Sequence, residues 1–407
     1  MAVARRTIDF RPRDLVTIAR SLGAPPRGAA AALERALARE LEVPHVVTAA
    51  SGRAALGAIV SALGLRRGSR VVVPCYTDTS VPDTLADLDH EPRFVDADPI
   101  DANPDARLLP PLLDDSVSAV VTAHHFGRVA DLDATLAACD ARALPLVEDA
   151  THALGATYHG QPVGTFGVAG YLSFNFTKPF TGFGGGAVLT ADPAIADEVR
   201  RALALAAPEP PRATALRALK AAALWLATRR SLFTVTAYPL LRLLARRGGD
   251  LASSYQTVAN RPGSTAAWGP ISEVSARVAL DHVAHLREDV ERRRALAAAL
   301  DEALPATIER LRDRPASRGV AYFYVLLGER RAELARRLLV AGIDTGHHLM
   351  HDNAARYDPR GEFPVARRLI AQSVQVPIHP GVRPSDVERV ARVIRSSEPI
   401  EAPAQNL

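Results

Sequence analysis

The chain reads as an α/β protein with a mostly parallel sheet, followed by a smaller α+β unit. Two observations predict this. From residue 46 onward, short β-rich runs alternate with Ala- and Leu-rich stretches of helical character, the pattern of strand–helix–strand units. The length of 407 residues, 48% of them hydrophobic, exceeds one ordinary core and suffices for two domains.

The elements follow in order. Residues 1–44 read as an N-terminal helical segment, broken at "GAPPRG". The large α/β domain is expected over 45–200. Its strand candidates are 46–51 (VVTAAS), 70–76 (RVVVPCY), 93–98 (RFVDAD), 119–126 (AVVTAHHF), 145–151 (PLVEDAT), 170–176 (GYLSFNF) and 186–190 (GAVLT). An apolar insertion fringed with Arg spans 201–270. It opens with the linker "APEPPRA" and continues as two helices, "TALRALKAAALWLATRR" and "SLFTVTAYPLLRLLARRGG". A long Arg-rich helix over 272–304 leads into the small α+β domain, the two together spanning 271–395. Residues 396–407 read as a disordered tail.

Charged residues make up 23% of the chain and the net charge is +4, with Arg and Asp/Glu interleaved. No basic block with interleaved aromatics suggests nucleic acid. Two cysteines, Cys75 and Cys139, form neither a disulfide framework nor a metal cluster, which points to a reducing compartment. The start "MAVARRTIDFRPRDL" has a twin Arg without the apolar core of a signal peptide. No stretch approaches the ~20 apolar residues of a membrane span. The expected location is the cytoplasm.

Lys178 and Lys220 are the only lysines; every other cation is arginine. Arginine keeps its proton, with a pKa above about 12, whereas a desolvated lysine amine can attack a carbonyl. A Schiff-base site is where drift to Arg would be fatal. A solvated lysine that has not drifted is the plainer alternative, and the neighbouring motifs shift the balance. The strand in "VEDATHALGA" ends in Glu148 and Asp149. A carboxylate there could hold a heterocyclic nitrogen protonated, or Asp149 could simply cap a helix. "TAASGRAAL" places Ser51, Gly52 and Arg53 at a helix start, suited to a phosphate or to an ordinary Ser cap. Tyr76, just past another strand end, suits stacking on a planar ring or plain core. The glycines of "TGFGGGAVLT" precede a strand. They fit positive φ and close backbone approach rather than a dinucleotide fingerprint. His124 and His125 sit at a strand end and can face the same cleft. His347, His348 and His351 invite a metal reading, but the run lacks HExxH and reads as strand-to-loop. No metal is expected.

Together these stretches resemble the DegT/DnrJ/EryC1/StrS family of pyridoxal-phosphate-dependent sugar aminotransferases. The matching pieces, in the family's order, are "SGRAAL", "RVVVPCYTDTSVPDTLADLDHEPRFVDADP", "AVVTAHHFGRVADLDA", "LVEDATHALGATYHGQPVGTFGVAGYLSFNFTKPFTGFGGGAVLT", "GIDTGHHLMH" and "FPVARRLIAQSVQVPIHPGVRPSDVERVARVI". The resemblance covers roughly residues 8–200 and 270–395, and the central block is its specific part. It implies the fold-type-I transferase architecture with a seven-stranded large-domain sheet, in a homodimer. It also implies that Lys178 carries pyridoxal 5'-phosphate as a Schiff base and that Asp149 pairs with the pyridine nitrogen. His152 would lie by the phenolic oxygen, Ser173, Gly52 and Arg53 at the phosphate, and Tyr76 against the ring. Lysine at 178 implies transamination, since family members with His there are dehydratases.

The implied reaction moves an amino group from glutamate, or a similar donor, to a keto-sugar, nucleotide-linked in most of the family. His124, His125, His347 and His348 are the candidate substrate contacts. Two other functions fit the same residues: a cofactor-binding regulator without turnover, and a transaminase for a non-sugar keto compound. The sequence departs from the family in two places. SGT is SGR here, and the GYNYRM-like segment that reaches into the partner subunit is missing; Asn260–Arg261 is a candidate substitute. The insertion helices suit packing over the large domain or across a dimer, the common use of an apolar stripe. Their Arg fringe also suits a peripheral membrane contact through 213–247.

Overall fold

The computed structural model describes residues 1–24, 26–246, 268–346 and 350–396. Asn260–Arg261, His347, His348 and the tail after 396 lie outside the described residues. The large lobe is built on seven strands: β1 (His45–Ala49), β2 (Arg70–Pro74), β3 (Glu91–Val95), β4 (Val117–Ala123), β5 (Leu146–Asp149), β6 (Ala169–Ser173) and β7 (Gly186–Thr190). Their order is β1-β7-β6-β5-β4-β2-β3. All neighbours run parallel except β7, which is antiparallel to both β1 and β6.

The sequence explains this placement. β2 and β4 are mostly apolar and β5 begins apolar before ending in Glu148 and Asp149, because helices cover both faces of a parallel sheet. β3 carries Glu91, Pro92 and Arg93 and lies at an edge, where a missing backbone donor costs little. Side chains alternate between two cores. Val47, Tyr171 and Val188 pack on one face with α3 (Gly52–Ala62); Val46, Leu172 and Leu189 pack on the other with α2 (Ala29–Glu40).

The N-terminal segment contributes α1 (Pro12–Gly23) besides α2, and its first residues reach into the small lobe. Val3 N–H donates to the Gly342 carbonyl at 2.8 Å, and Asp344 N–H to the Val3 carbonyl at 2.9 Å. After β2, α4 (Ser80–Asp87) crosses to β3; α5 (Leu132–Asp140) joins β4 to β5; α6 (Pro193–Ala204) follows β7.

Among its described residues the insertion forms three helices in the stretch where two were expected: α7 (Pro211–Ala227), α8 (Arg230–Val235) and α9 (Ala237–Arg246). The second break falls at Thr236, φ −111° and ψ −80°. Pro239 explains it: lacking N–H and clashing with the preceding turn, it is tolerated only in the first turn of a new helix. The predicted 272–304 helix is likewise two, α10 (Glu273–Val283) and α11 (Leu286–Ala303), with the chain turning at His285. No Pro or Gly marks that turn.

The small lobe packs α11, α12 (Arg331–Val340) and α15 (Pro384–Arg395) on the antiparallel pair β8 (Tyr324–Leu327) and β9 (Ser373–Val376). Between them lie α13 (Ala354–Tyr357) and α14 (Pro364–Gln372). Its core includes Leu300, Leu326, Leu338, Val374 and Ile394, with Val3 from the N-terminus. Among the described residues, no helix is long and apolar enough to cross a membrane.

Candidate active site

The parallel strands deliver their C-terminal ends, and the loops that follow, to one edge of the sheet. This is where ligands gather in open α/β folds. Lys178, five residues past β6, places Nζ 2.8 Å from Nε2 of His152 in the loop after β5. His152 is buried with its ring 4.8 Å from that of Tyr322. Burial holds the His152 imidazole well below its ordinary pKa, and the charges of Lys178, His125 and Arg6 push the same way. A neutral His152 can therefore accept a hydrogen bond from Nζ through Nε2. Burial also pulls the Lys178 amine below its ordinary value. Asp78 and Asp149 pull back, and Arg6 adds to the lowering.

Asp149 ends β5. Its Oδ1 accepts from Thr151 N–H at 3.0 Å and its Oδ2 from the Tyr171 hydroxyl at 2.7 Å. These bonds fix the carboxylate plane and leave lone pairs for a further partner. Burial and the Asp149 charge raise Tyr171 well above the ordinary phenol value, so it stays a donor.

At the other end of the cleft, Ser51 Oγ accepts from Ala54 N–H at 3.0 Å, capping α3. Gly52 opens that helix directly on Ser173: a Cβ built on Gly52 would stand 3.0 Å from Ser173 Cβ. Gly186 is needed here as well, because its Cβ would meet the Gly52 nitrogen at 2.8 Å. Gly185 before it holds φ +99°. Arg53 is half-buried in the first turn, with no ion pair among the described residues. Tyr76 is fully buried, edge-on to His125 at 5.9 Å and tilted on Phe126 at 6.2 Å. Next to it, Tyr76–Thr77 pairs antiparallel with His351–Asp352.

The two histidines after β4 differ. His124 turns both ring nitrogens into the protein: Nδ1 accepts from Ala130 N–H at 3.2 Å, and Nε2 meets Glu148 Oε2 at 3.1 Å. Glu148 is fully buried and also accepts three backbone N–H groups, from Gly164, Phe166 and Gly167 at 2.6–2.8 Å. Its neighbour Asp149 faces the cleft while Glu148 braces the loop behind it, as strand alternation requires. His125 bonds the Ala102 carbonyl through Nδ1 at 2.9 Å, and its buried Nε2 has no partner. Burial lowers His125 to about 4.

A crevice beside Lys178 is lined by Arg5, Arg6, Thr7, Tyr322, Phe323 and Arg293, so it lies between the lobes. Sequence reading did not single out Arg6, Tyr171 or Tyr322. Tyr171 alone left a signal, since it shares a strand with Ser173 and alternates onto its face.

This donor set suits pyridoxal phosphate. It offers an amine of lowered basicity for the aldehyde, an oriented carboxylate for the pyridine nitrogen, and a helix start with glycine at the point of closest approach for the phosphate. The architecture is that of fold-type-I pyridoxal-phosphate transferases. The chain belongs to the DegT/DnrJ/EryC1/StrS aminotransferase family, whose model matches residues 27–395. It is similar to an L-glutamine:2-deoxy-scyllo-inosose aminotransferase of Streptomyces lividus, 36% identical over 184 residues, 44% of this chain and 43% of that relative. The match thus spans less than half of that relative. A longer match, 28% identical over 90% of this chain and 89% of the relative, is to the erythromycin biosynthesis sensory transduction protein EryC1 of Saccharopolyspora erythraea. Among solved structures, S. venezuelae DesV, crystallised in complex with a ketimine intermediate, superimposes with a TM-score of 0.74. It is 25% identical and covers 97% of this chain and 98% of that one.

Proposed function

We propose that the chain is a pyridoxal-phosphate-dependent aminotransferase moving an amino group from glutamate, glutamine or a similar amino acid to a keto-sugar, nucleotide-linked or free. The observation that carries this reading is the Lys178 amine, 2.8 Å from a neutral His152 in the cleft that Asp149 faces. When bound, the cofactor supplies an aldehyde for amine capture and an electron-poor ring that accommodates the charge left by a departing C–H proton. Lys178 Nζ would be the covalent anchor, and its free amine would be the base that takes a proton from the donor's α-carbon and returns it. His152 Nε2 orients that amine and would be the partner for the phenolic oxygen. Asp149, held by Tyr171 and Thr151, would keep the pyridine nitrogen protonated. Gly52, Ser173 and Arg53 would hold the phosphate at the start of α3, and Tyr76 with His125 would border the ring. His124 acts through Glu148 as a positioning residue.

Arg6 is the proposed anchor for the donor's carboxylate. Of three arginines lining the crevice, Arg5 is bound by Asp344 at 2.8 Å and Arg293 by Asp9. Arg6 lies over the Phe323 ring at 5.4 Å, with no carboxylate partner among the described residues. The same reading takes the working form as a cytoplasmic homodimer, and domain limits near residues 45, 200 and 270.

The test is spectroscopic. Purified protein given pyridoxal phosphate gains a yellow, borohydride-reducible chromophore, and added glutamate or glutamine converts it to the pyridoxamine form. Lys178→Ala abolishes both. A chromophore in Lys178→Ala that resists dialysis and reduces with borohydride defeats the proposal.

A further inference from the structure

Helices α7 to α9 take no part in the site, and their two faces differ. The inward face of α7 is Thr214, Ala218, Ala221 and Trp225, packed on Phe10, Phe183 and Val278. Its outward face carries Leu216, Leu219, Ala223 and Leu226, spaced to share one side of the helix. α8 and α9 continue the pattern with Val235, Leu240 and Leu243. These six Leu and Val side chains are 45–71% exposed. A soluble surface scatters such residues singly; a run along consecutive helices marks a contact.

Charge identifies the contact. Residues 210–246 contain seven cations and no Asp or Glu. Arg217 is bound by Glu209 at 2.6 Å and Arg230 by Asp386. Lys220 lies over the Phe176 ring at 5.6 Å. Of the remaining four, Arg212, Arg229 and Arg246 are exposed and Arg242 is half-buried. Two copies meeting across this face would bring like charges together. An anionic bilayer complements them and accepts the leucines a few ångströms below its headgroups. We infer that α7 to α9 dock the protein peripherally on an anionic lipid surface, with the active-site cleft left open to solution.

The test uses full-length protein loaded with pyridoxal phosphate and sucrose-loaded vesicles of phosphatidylcholine, with or without phosphatidylglycerol. The protein pellets with the anionic vesicles and is released by high salt. The triple variant Leu216→Ser, Leu219→Ser, Leu226→Ser stays in the supernatant. Arg212→Gln with Arg246→Gln weakens partitioning on the order of thirtyfold. Because these side chains are exposed, all variants keep the wild-type melting temperature and cofactor absorbance. The inference fails if wild type ignores both vesicles, or if the triple variant pellets as wild type does. It also fails if the leucine substitutions split a homodimer while no vesicle binds, because the face is then a self-interface.

Discussion

Glu148→Gln is the sharpest test of how the site is braced. The wild-type carboxylate, fully buried, uses Oε1 for Phe166 and Gly167 N–H at 2.6 and 2.8 Å. It uses Oε2 for Gly164 N–H at 2.8 Å and His124 at 3.1 Å. Because His124 Nδ1 accepts from Ala130 N–H, its Nε2 must be the donor, so all four partners donate. Glutamine has a single acceptor oxygen. Either flip of its amide leaves two donors facing an NH₂ group in a dry site. Each orphaned donor costs about 1–3 kcal/mol, and part returns because a neutral amide is easier to bury than a carboxylate. A net loss of about 3 kcal/mol is expected. With an unfolding entropy near 2 cal/mol/K per residue, that lowers the melting temperature by about 3–4 °C if the chain unfolds as one unit. Differential scanning calorimetry at neutral pH reads it directly. A glutamine variant melting within about 1 °C of wild type would refute the four-donor accounting, and with it the role given to His124.

Two further outcomes are expected. Arg6→Ala raises KM for the amino donor by roughly ten- to a hundredfold, the worth of a charge-assisted pair, with kcat and the cofactor spectrum little changed; an unaltered donor KM removes Arg6 from the site. Stability should fall in acid. His152 is held well below its ordinary pKa by burial, as are His125 and His379, both lowered to about 4. As pH drops below the unfolded value of ~6.5, the unfolded chain takes up protons that the folded chain refuses. Stability therefore rises with pH across this range and is lost on acidification toward pH 4, each group contributing up to about 1.4 kcal/mol per unit. Denaturant midpoints that stay flat from pH 7 to pH 5 would contradict this.

What the sequence made legible follows from what each signal encodes. Continuous apolar runs and strand ends reveal the seven strands and the edge where Lys178, Asp149 and His152 meet, because burial on both faces and the turn to the next element leave local marks. Arg6 left none: it is one arginine among dozens, and its proposed role rests on having no carboxylate partner among the described residues, where Arg5 and Arg293 each have one, a fact of packing between segments hundreds of residues apart. The insertion shows the reverse. An apolar stripe implies burial, and α7 is buried, yet through Thr214, Ala218, Ala221 and Trp225, with Leu224 half-buried beside them, while Leu216, Leu219 and Leu226 point outward. Close approach explains the inversion. Ala218 and Ala221 let α7 come near Phe183 and Val278, beside the loop that carries Lys178, where leucines would hold it away. Hydrophobicity alone ranks the leucine face as the core; steric fit at the inner face reverses that order and leaves the leucines for another partner.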